Sequence, residues 1–429
     1  MKRREFIIGL GAGFSLTLTR DLLFPSRAAW AFDSAAAPAK YFVLIKMSGG
    51  WDITLSLDPK IHSNGSTQDD MFIEYRPDEI VTKGAISLAP AAAPLIPYMD
   101  KLAIINGIAM APFDNGHIAN LNYIVTGNGQ GKAPDLPVEI AFAGQQGLMG
   151  VMSDSSISTL DRTVITSTFQ NTIDLSKAVQ FEKFAGYLNK LGGHKKFTDA
   201  FSGLAKDPTT RLAILAELSK NQKRLDEIGP DFNRFLERNA IVLASAFCAG
   251  AAFQGEFDVT NNLDTHSGHE KVHLANQTKG WANVASIFKA FADTPSPTGV
   301  GSLFDQTTFM VVSEFSRTPA LNTSKGKDHN PLTNSVLLAG RGIRNGVFGQ
   351  SHLVKRSENQ YGMSAHAALP LNFMSGQIAQ NRKQAEAAEF QYLAPENIAR
   401  TIAEIMDVDW RRFKSVPKDL GYLTQVLKP

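Results

Sequence analysis

The sequence predicts an α/β fold: a three-layer sandwich with a central, mostly parallel sheet between helices, and a helical insertion. Three observations carry that expectation. Short apolar runs recur at residues 41–47 (YFVLIKM), 102–108 (LAIINGI), 308–312 (TFMVV) and 335–339 (SVLLA). Their continuous apolar character suits strands buried on both faces. Helical periodicity with charged outer positions marks 207–225, 271–292 and 395–406. Finally, the apolar runs end abruptly in polar loops that carry Asp, Glu, His and Arg. In open α/β sheets that carboxyl edge is where ligands bind, because loops converge there over a rigid platform.

The first 31 residues read as a leader rather than as fold. Lys2-Arg3-Arg4-Glu5-Phe6 is a twin-arginine pattern, followed by an apolar stretch (7–18) and by Ala29-Trp30-Ala31, a small-x-small cleavage signature. The expectation is a twin-arginine signal peptide at 1–31 and one exported domain at 32–429, periplasmic or secreted. The chain of 429 residues has a formal net charge of +2. Its leader holds five Lys/Arg against Glu5 and Asp21, which leaves 38 basic and 39 acidic residues in the body. A near-neutral body excludes nucleic-acid binding by bulk charge. The one cysteine, Cys248, rules out an intramolecular disulfide.

Taken in order, the strand at 41–47 runs into Ser48-Gly49-Gly50-Trp51-Asp52, where two glycines let the backbone turn and Asp52 reaches the sheet edge. The strand at 102–108 leads to His117 at the start of a helix (118–125) closed by Thr126-Gly127. Further strands are expected at 137–142 and 163–165, and helices at 181–201, 207–225 and 231–253. The stretch of about 180–255 forms the helical insertion. Asp264 and His266 stand in an Asp-x-His segment whose extended backbone places both heads on one side. Nearby His269, Glu270 and His273 read as a solvated polar stretch. After the strand at 308–312 come Glu314 and Arg317, and after them Asp328-His329-Asn330-Pro331. Residues 345–349 read as a hairpin or turn pair, and 395–406 as a helix opened by Pro395 and Glu396.

This set of motifs, SGGWD, the His117 helix ending in TG, DTHS, SEFSRTP, DHNP and LAGRGI, resembles an uncharacterised family of exported bacterial proteins. That family is similar to the alkaline phosphatase and sulfatase superfamily. The resemblance implies that Asp52 matches the superfamily's first-strand metal aspartate, Asp264 and His266 a metal-ligand pair, Glu314 the strand end that carries an Asp-His pair, and His329 the late histidine. His117 stands where phosphatases place a Ser or Thr nucleophile. The chain departs from the superfamily there.

The chemistry so implied is a metal-dependent hydrolysis of phosphate or sulfate esters, small-molecule or glycan. Asp52, Asp264, His266, Glu314 and His329 would hold one or two divalent cations, with zinc, manganese or iron fitting mixed imidazole and carboxylate ligands. Arg317 would clamp the anionic group bidentately. With histidine at the nucleophile position, metal-bound hydroxide is the expected attacking species, and His117 a ligand or general acid. The competing expectation is a non-catalytic periplasmic binding or assembly protein on the same fold.

Overall fold

The computed structural model describes residues 39–428 apart from 63–65, 111–115, 130–132, 148, 156, 170–207, 230, 232–233, 260–261, 359–362, 415 and 418–419. The expected leader and the helix expected at 181–201 lie outside the described residues.

The central sheet has eight strands: β1 (Tyr41–Lys46), β2 (Leu102–Asn106), β3 (Gly150–Ser153), β4 (Thr166–Thr168), β5 (Ala252–Asp258), β6 (Thr307–Val312), β7 (Ser335–Gly340) and β8 (Gly346–Phe348). Their spatial order is β8-β2-β7-β6-β1-β5-β3-β4. All run parallel except β7, which pairs antiparallel with both β2 and β6. β1 is wholly buried, and its side chains alternate between two cores. Tyr41, Val43 and Ile45 enter one, Phe42 and Leu44 the other. A strand apolar on both faces needs cover on both faces, and it has it.

Five helices supply most of that cover: α1 (His117–Thr126), α2 (Leu136–Ala143), α3 (Phe235–Cys248), α4 (His269–Ala292) and α5 (Pro395–Met406). On one face α4 packs Trp281, Val284, Ile287, Phe288 and Phe291 among α3 residues such as Ile241 and Leu243. Each such side chain contributes roughly 1.5–3 kcal/mol through burial. On the other face Ile124 of α1 meets Ile398 and Ile402 of α5. α1 stops at Gly127, whose φ of +68° is the left-handed cap that glycine adopts without strain. No helix among the described residues is long and apolar enough to cross a membrane.

Four expectations need correction. Residues 137–142 form helix α2, not a strand. The run is short and apolar, which fits either state, and Pro137 in the first turn favours the helix. The helix expected at 231–253 ends at Cys248, and Ala252–Asp258 becomes β5, a central strand paired with β1 and β3. The region 207–225 is two helices, Pro208–Lys220 and Gln222–Ile228. Residues 346–348, expected in a hairpin or turn pair, form the edge strand β8, which pairs parallel with β2.

Because β1, β2, β5 and β6 are parallel, their carboxyl ends share one rim. The antiparallel β7 starts there. Among the described residues, 47–52, 107–110 with 116–117, 262–269, 313–317 and 327–334 therefore meet at that rim.

Candidate metal centre

Three imidazoles and one carboxylate converge on this rim. His117, Asp264, His266 and His329 each offer one ligand atom, and the four atoms lie within 4.8 Å of one another. They come from α1, the segment after β5, and the segment before β7. Asp264 Oδ1 lies 3.1 Å from His266 Nε2, 3.4 Å from His117 Nε2 and 3.7 Å from His329 Nε2. His266 Nε2 and His329 Nε2 are 3.0 Å apart.

Two of the rings are held from behind by carboxylates. His117 Nδ1 lies 2.6 Å from Glu314 Oε1, and His266 Nδ1 lies 2.8 Å from Asp328 Oδ1. An ionised carboxylate only accepts, so each Nδ1 donates its proton outward and the Nε2 of each ring points inward. There His266 Nε2 meets His329 Nε2, and both face the Asp264 carboxylate together with His117 Nε2. His117 Nε2 is buried and has no hydrogen-bond partner. Acceptors facing acceptors repel unless a proton or a cation sits between them. Protonation answers part of this at acid pH, since hydrogen bonding to Glu314 raises the His117 pKa against the opposing effect of burial. A cation answers all of it. A tetrahedral ion with bonds of 2.0–2.1 Å needs ligand atoms about 3.3 Å apart. The pairwise distances here bracket that value, so the residues present fit the group.

Packing fixes the set. Glu314 is almost fully buried, and its Oε1 also accepts from Gly49 N at 2.8 Å while Oε2 accepts from Ser313 Oγ at 2.9 Å. Burial pushes its pKa up, but the His117 hydrogen bond and these donors outweigh that and hold it below the usual range. Phe315 stacks on the His329 ring with centroids 4.2 Å apart. Two glycines permit the close approach. A Cβ on Gly50 (φ +72°) would overlap the Phe315 ring, and one on Gly326 would overlap the His266 backbone.

Arg317 fastens the segments together. Fully buried, it donates from Nε to Gly50 O (2.9 Å) and from Nη1 to Lys327 O (3.1 Å). Its Nη2 is shared among Gly49 O (2.5 Å), Leu263 O (3.1 Å) and Asp264 Oδ1 (2.8 Å). Burial raises the Asp264 pKa, yet the Arg317 contact prevails and lowers it. The expected anion clamp is therefore not what this geometry provides. The guanidinium turns inward onto backbone carbonyls instead of presenting its fork to a ligand. Glu314, expected among the ligands, instead lies behind His117.

Asp52 does not join the four. It lies in a separate buried cage, with Oδ2 2.5 Å from Lys327 Nζ and Oδ1 accepting from Thr54 N and Thr54 Oγ1. Burial raises its pKa, but the Lys327 ammonium overrides this and holds the carboxyl well below the usual range. Around it stand His269, His273 and Gln277 of α4, all fully buried. Gln277 Oε1 accepts from Asp52 N at 2.8 Å, and Thr265 Oγ1 lies 3.1 Å from His269 Nδ1 and 2.7 Å from His273 Nδ1. His269 and His273 are thus not the solvated residues that the sequence leads one to expect. They occupy successive turns on the α4 face that packs down on the rim.

Sequence reasoning missed three residues here. Asp328 was readable, since it directly precedes a candidate ligand and second-sphere carboxylates accompany ligating histidines. Lys327 and Glu74 sit in unremarkable polar stretches with no such signal.

A family model described as "Protein of unknown function (DUF1501)" matches residues 255–368, which contain Asp264, His266, Glu314, Arg317 and His329. Among curated proteins no match is found. Of the solved structures, the PH0037 protein from Pyrococcus horikoshii matches at 9% identity with a TM-score of 0.30, over 87% of this chain and 98% of its own. A protein from Bacteroides thetaiotaomicron described as a "putative sulfatase" matches at 8% identity and a TM-score of 0.30, over 89% of this chain and 72% of its own. Likeness at that level does not define an activity.

Proposed function

We propose that the chain is an exported metal-dependent hydrolase of phosphate or sulfate esters, small-molecule or glycan, that works through one divalent cation held by His117, Asp264, His266 and His329. The observation that carries the reading is the convergence of three Nε2 atoms on the Asp264 carboxylate, two of the rings being held by carboxylates behind them. Zinc suits three imidazoles and a carboxylate best, with manganese and iron as the alternatives. Such an ion, once bound, polarises an ester oxygen and lowers the pKa of a coordinated water.

The chain's own residues supply the rest. Asp264 and His266 are about half exposed, so the cluster faces solvent where an ester would arrive. Glu314 keeps the His117 proton on Nδ1, and Arg317 keeps Asp264 ionised and in place. Ser313 Oγ, the hydroxyl beside Glu314, is not poised as a nucleophile, because it accepts from Trp51 N and donates to Glu314 Oε2. Water is the attacking species in this reading. Residues 1–31 form a twin-arginine leader in this reading, and the body at 32–429 acts in the periplasm or outside the cell as a single alkaline-phosphatase-like domain.

The test is to purify the protein with its leader removed, load it with zinc, count ions per chain and screen aryl phosphates and sulfates. One ion per chain and metal-dependent turnover are expected, both lost in His266→Ala and His329→Ala. A folded protein that takes up no ion sinks the proposal. A second reading, a non-catalytic binding or assembly protein with a structural ion, is favoured by the count of four protein ligands, which is typical of closed structural sites. In that case Asp264→Ala lowers stability in zinc, with no turnover to lose.

A further inference from the structure

The three histidines of the proposed centre are not held alike. Phe315 packs against two of them, with ring centroids 4.9 Å from His117 and 4.2 Å from His329. The His266 side chain is 47% exposed, against 33% for His117 and 13% for His329. A ring open to solvent keeps its rotamer freedom unless hydrogen bonds remove it. His266 therefore relies on such bonds more than its neighbours do.

Asn322 reaches it from two sides. Its Nδ2 donates to His266 O at 3.1 Å and to Asp328 Oδ1 at 3.0 Å. That same Asp328 oxygen lies 2.8 Å from His266 Nδ1. The other half of the amide, Oδ1, accepts from Ser324 N and Gly326 N, both at 2.9 Å. Main-chain N–H groups only donate, and a carbonyl or carboxylate oxygen only accepts, so a single orientation of the amide satisfies all its partners. The acceptor half closes a turn in which Lys325 takes a φ of +60°. A lysine in the left-handed region is strained and stays there only when its surroundings hold it. The turn lies against the segment that carries Asp264 and His266. Lys325 O accepts from His269 N at 2.7 Å, and Thr265 O from Lys327 N at 3.2 Å.

We infer that Asn322 is a positioning residue of the ion centre, fixing His266 by its main chain and, through Asp328, by its ring. The inference rests on the ion site proposed above and extends it to a residue that acts from behind the ligands. It requires both halves of the amide. Alanine at 322 loses both. Aspartate keeps the acceptor for Ser324 N and Gly326 N but sets a carboxylate oxygen against Asp328 Oδ1 and His266 O.

The experiment compares wild type with Asn322→Ala, Asn322→Asp, Asp328→Asn and the Asn322→Asp/Asp328→Asn pair. Zinc affinity is read by competition with a chelator, and the melting temperature of the stripped proteins by calorimetry. Asn322→Ala and Asn322→Asp are each expected to bind zinc about tenfold more weakly, at the lower end of what loss of such a support does. The pair is expected to bind no more weakly than Asn322→Asp alone, because Asn322 acts through Asp328 and the second change removes the opposing carboxylate. A residue that only builds the turn would lower the melting temperature in Asn322→Ala and be rescued, for zinc as for melting, in Asn322→Asp. Wild-type zinc affinity in folded Asn322→Asp overturns the inference and leaves the hydrolase reading standing. So do losses that multiply in full in the pair. Should Asn322→Ala fail to fold, Asn322→Asp and the pair decide the matter without it. A wild type that takes up no zinc overturns both readings.

Discussion

Two polar clusters sit on neighbouring loops of one sheet rim, built from the same residue types, and they differ in what holds their charge together. Around Asp52 the cluster is sealed, and Lys327 is fully buried against a fully buried aspartate. Around Asp264 the cluster is open, with the carboxylate half exposed and paired on one side only by Arg317. In the first, the carboxylate and imidazoles have a resident cation. In the second, Arg317 pairs with Asp264 from behind, and three Nε2 atoms face that carboxylate from the open side. A buried charge persists when paired and is costly when its partner is lost. An exposed ligand set can wait for its partner to arrive from solution. The same rim thus holds a sealed charge pair and, beside it, an open group of side chains that could take an ion.

Arg317 joins the two clusters, so its removal is the largest break to make. Arg317→Ala strips donors from Gly49 O, Gly50 O, Leu263 O and Lys327 O and leaves Asp264 without its cation. Truncating one partner of a buried, hydrogen-bonded charge typically destabilises by about 3–5 kcal/mol. Calorimetry should show a fall in melting temperature of that order, with metal binding lost as well. Arg317→Lys should recover only a part, because an ammonium cannot span five acceptors in a planar fork. If Arg317→Ala melts like wild type, the joint described here does not carry the rim.

How much of this was legible beforehand differs between strands and loops. The runs at β1, β2, β6 and β7 are apolar throughout, and burial on two faces writes itself into composition. α5 could be read to the residue, because Pro395 opens it and its apolar face is continuous. β5 was hidden. Its sequence, AFQGEFD, carries Gln254 and Glu256, both fully buried beside apolar neighbours, and period alone does not call such a run a central strand. Glu256 is tolerated there because Lys46 Nζ lies 2.6 Å away across the β1–β5 pair. In the site, His117, Asp264, His266 and His329 were named from the sequence, but their division from Asp52 was not. That division depends on Lys327, and nothing in the string GKDHNP says that its lysine is buried in the Asp52 cage while the His two residues on joins the Asp264 cluster. Which residues share a loop is sequence information; which direction each one points is set by packing.

The carboxylates behind the rings sharpen the comparison at a smaller scale. Glu314→Gln keeps size and shape but presents an amide, which holds the Nδ1 proton less strongly. Loss of such a support typically weakens metal binding 10–100-fold, about 1.4–2.7 kcal/mol. Zinc titration against a competing chelator should show that loss with little change in the melting temperature of the metal-free protein. Asp328→Asn should act on His266 in the same direction but more weakly, because Asp328 is more than a third exposed. An unchanged zinc affinity in Glu314→Gln would mean that the His117–Glu314 pair is structural only.

The smallest effect tests the sealed cluster through pH. Burial raises the Glu74 pKa to about 7, with the Lys327 ammonium opposing and Asp52 reinforcing the rise. A carboxyl whose folded pKa lies above its unfolded value of about 4.3 binds its proton more tightly when folded. Its contribution to stability is therefore complete below about pH 4.3 and is lost as pH rises through 7. After allowance for solvent near a side chain that is not wholly sealed, the loss amounts to on the order of 1 kcal/mol. Glu74→Gln carries no such proton. Wild type should lose stability relative to Glu74→Gln between pH 5 and pH 8, seen as converging or crossing melting curves in matched buffers. Asp52 cannot produce that signature, because its depressed pKa places its own loss of stability at acid pH, as pH falls through the folded value. Parallel curves for the two proteins from pH 5 to 8 would show that Glu74 ionises freely, and the cage would then be wetter than its geometry implies.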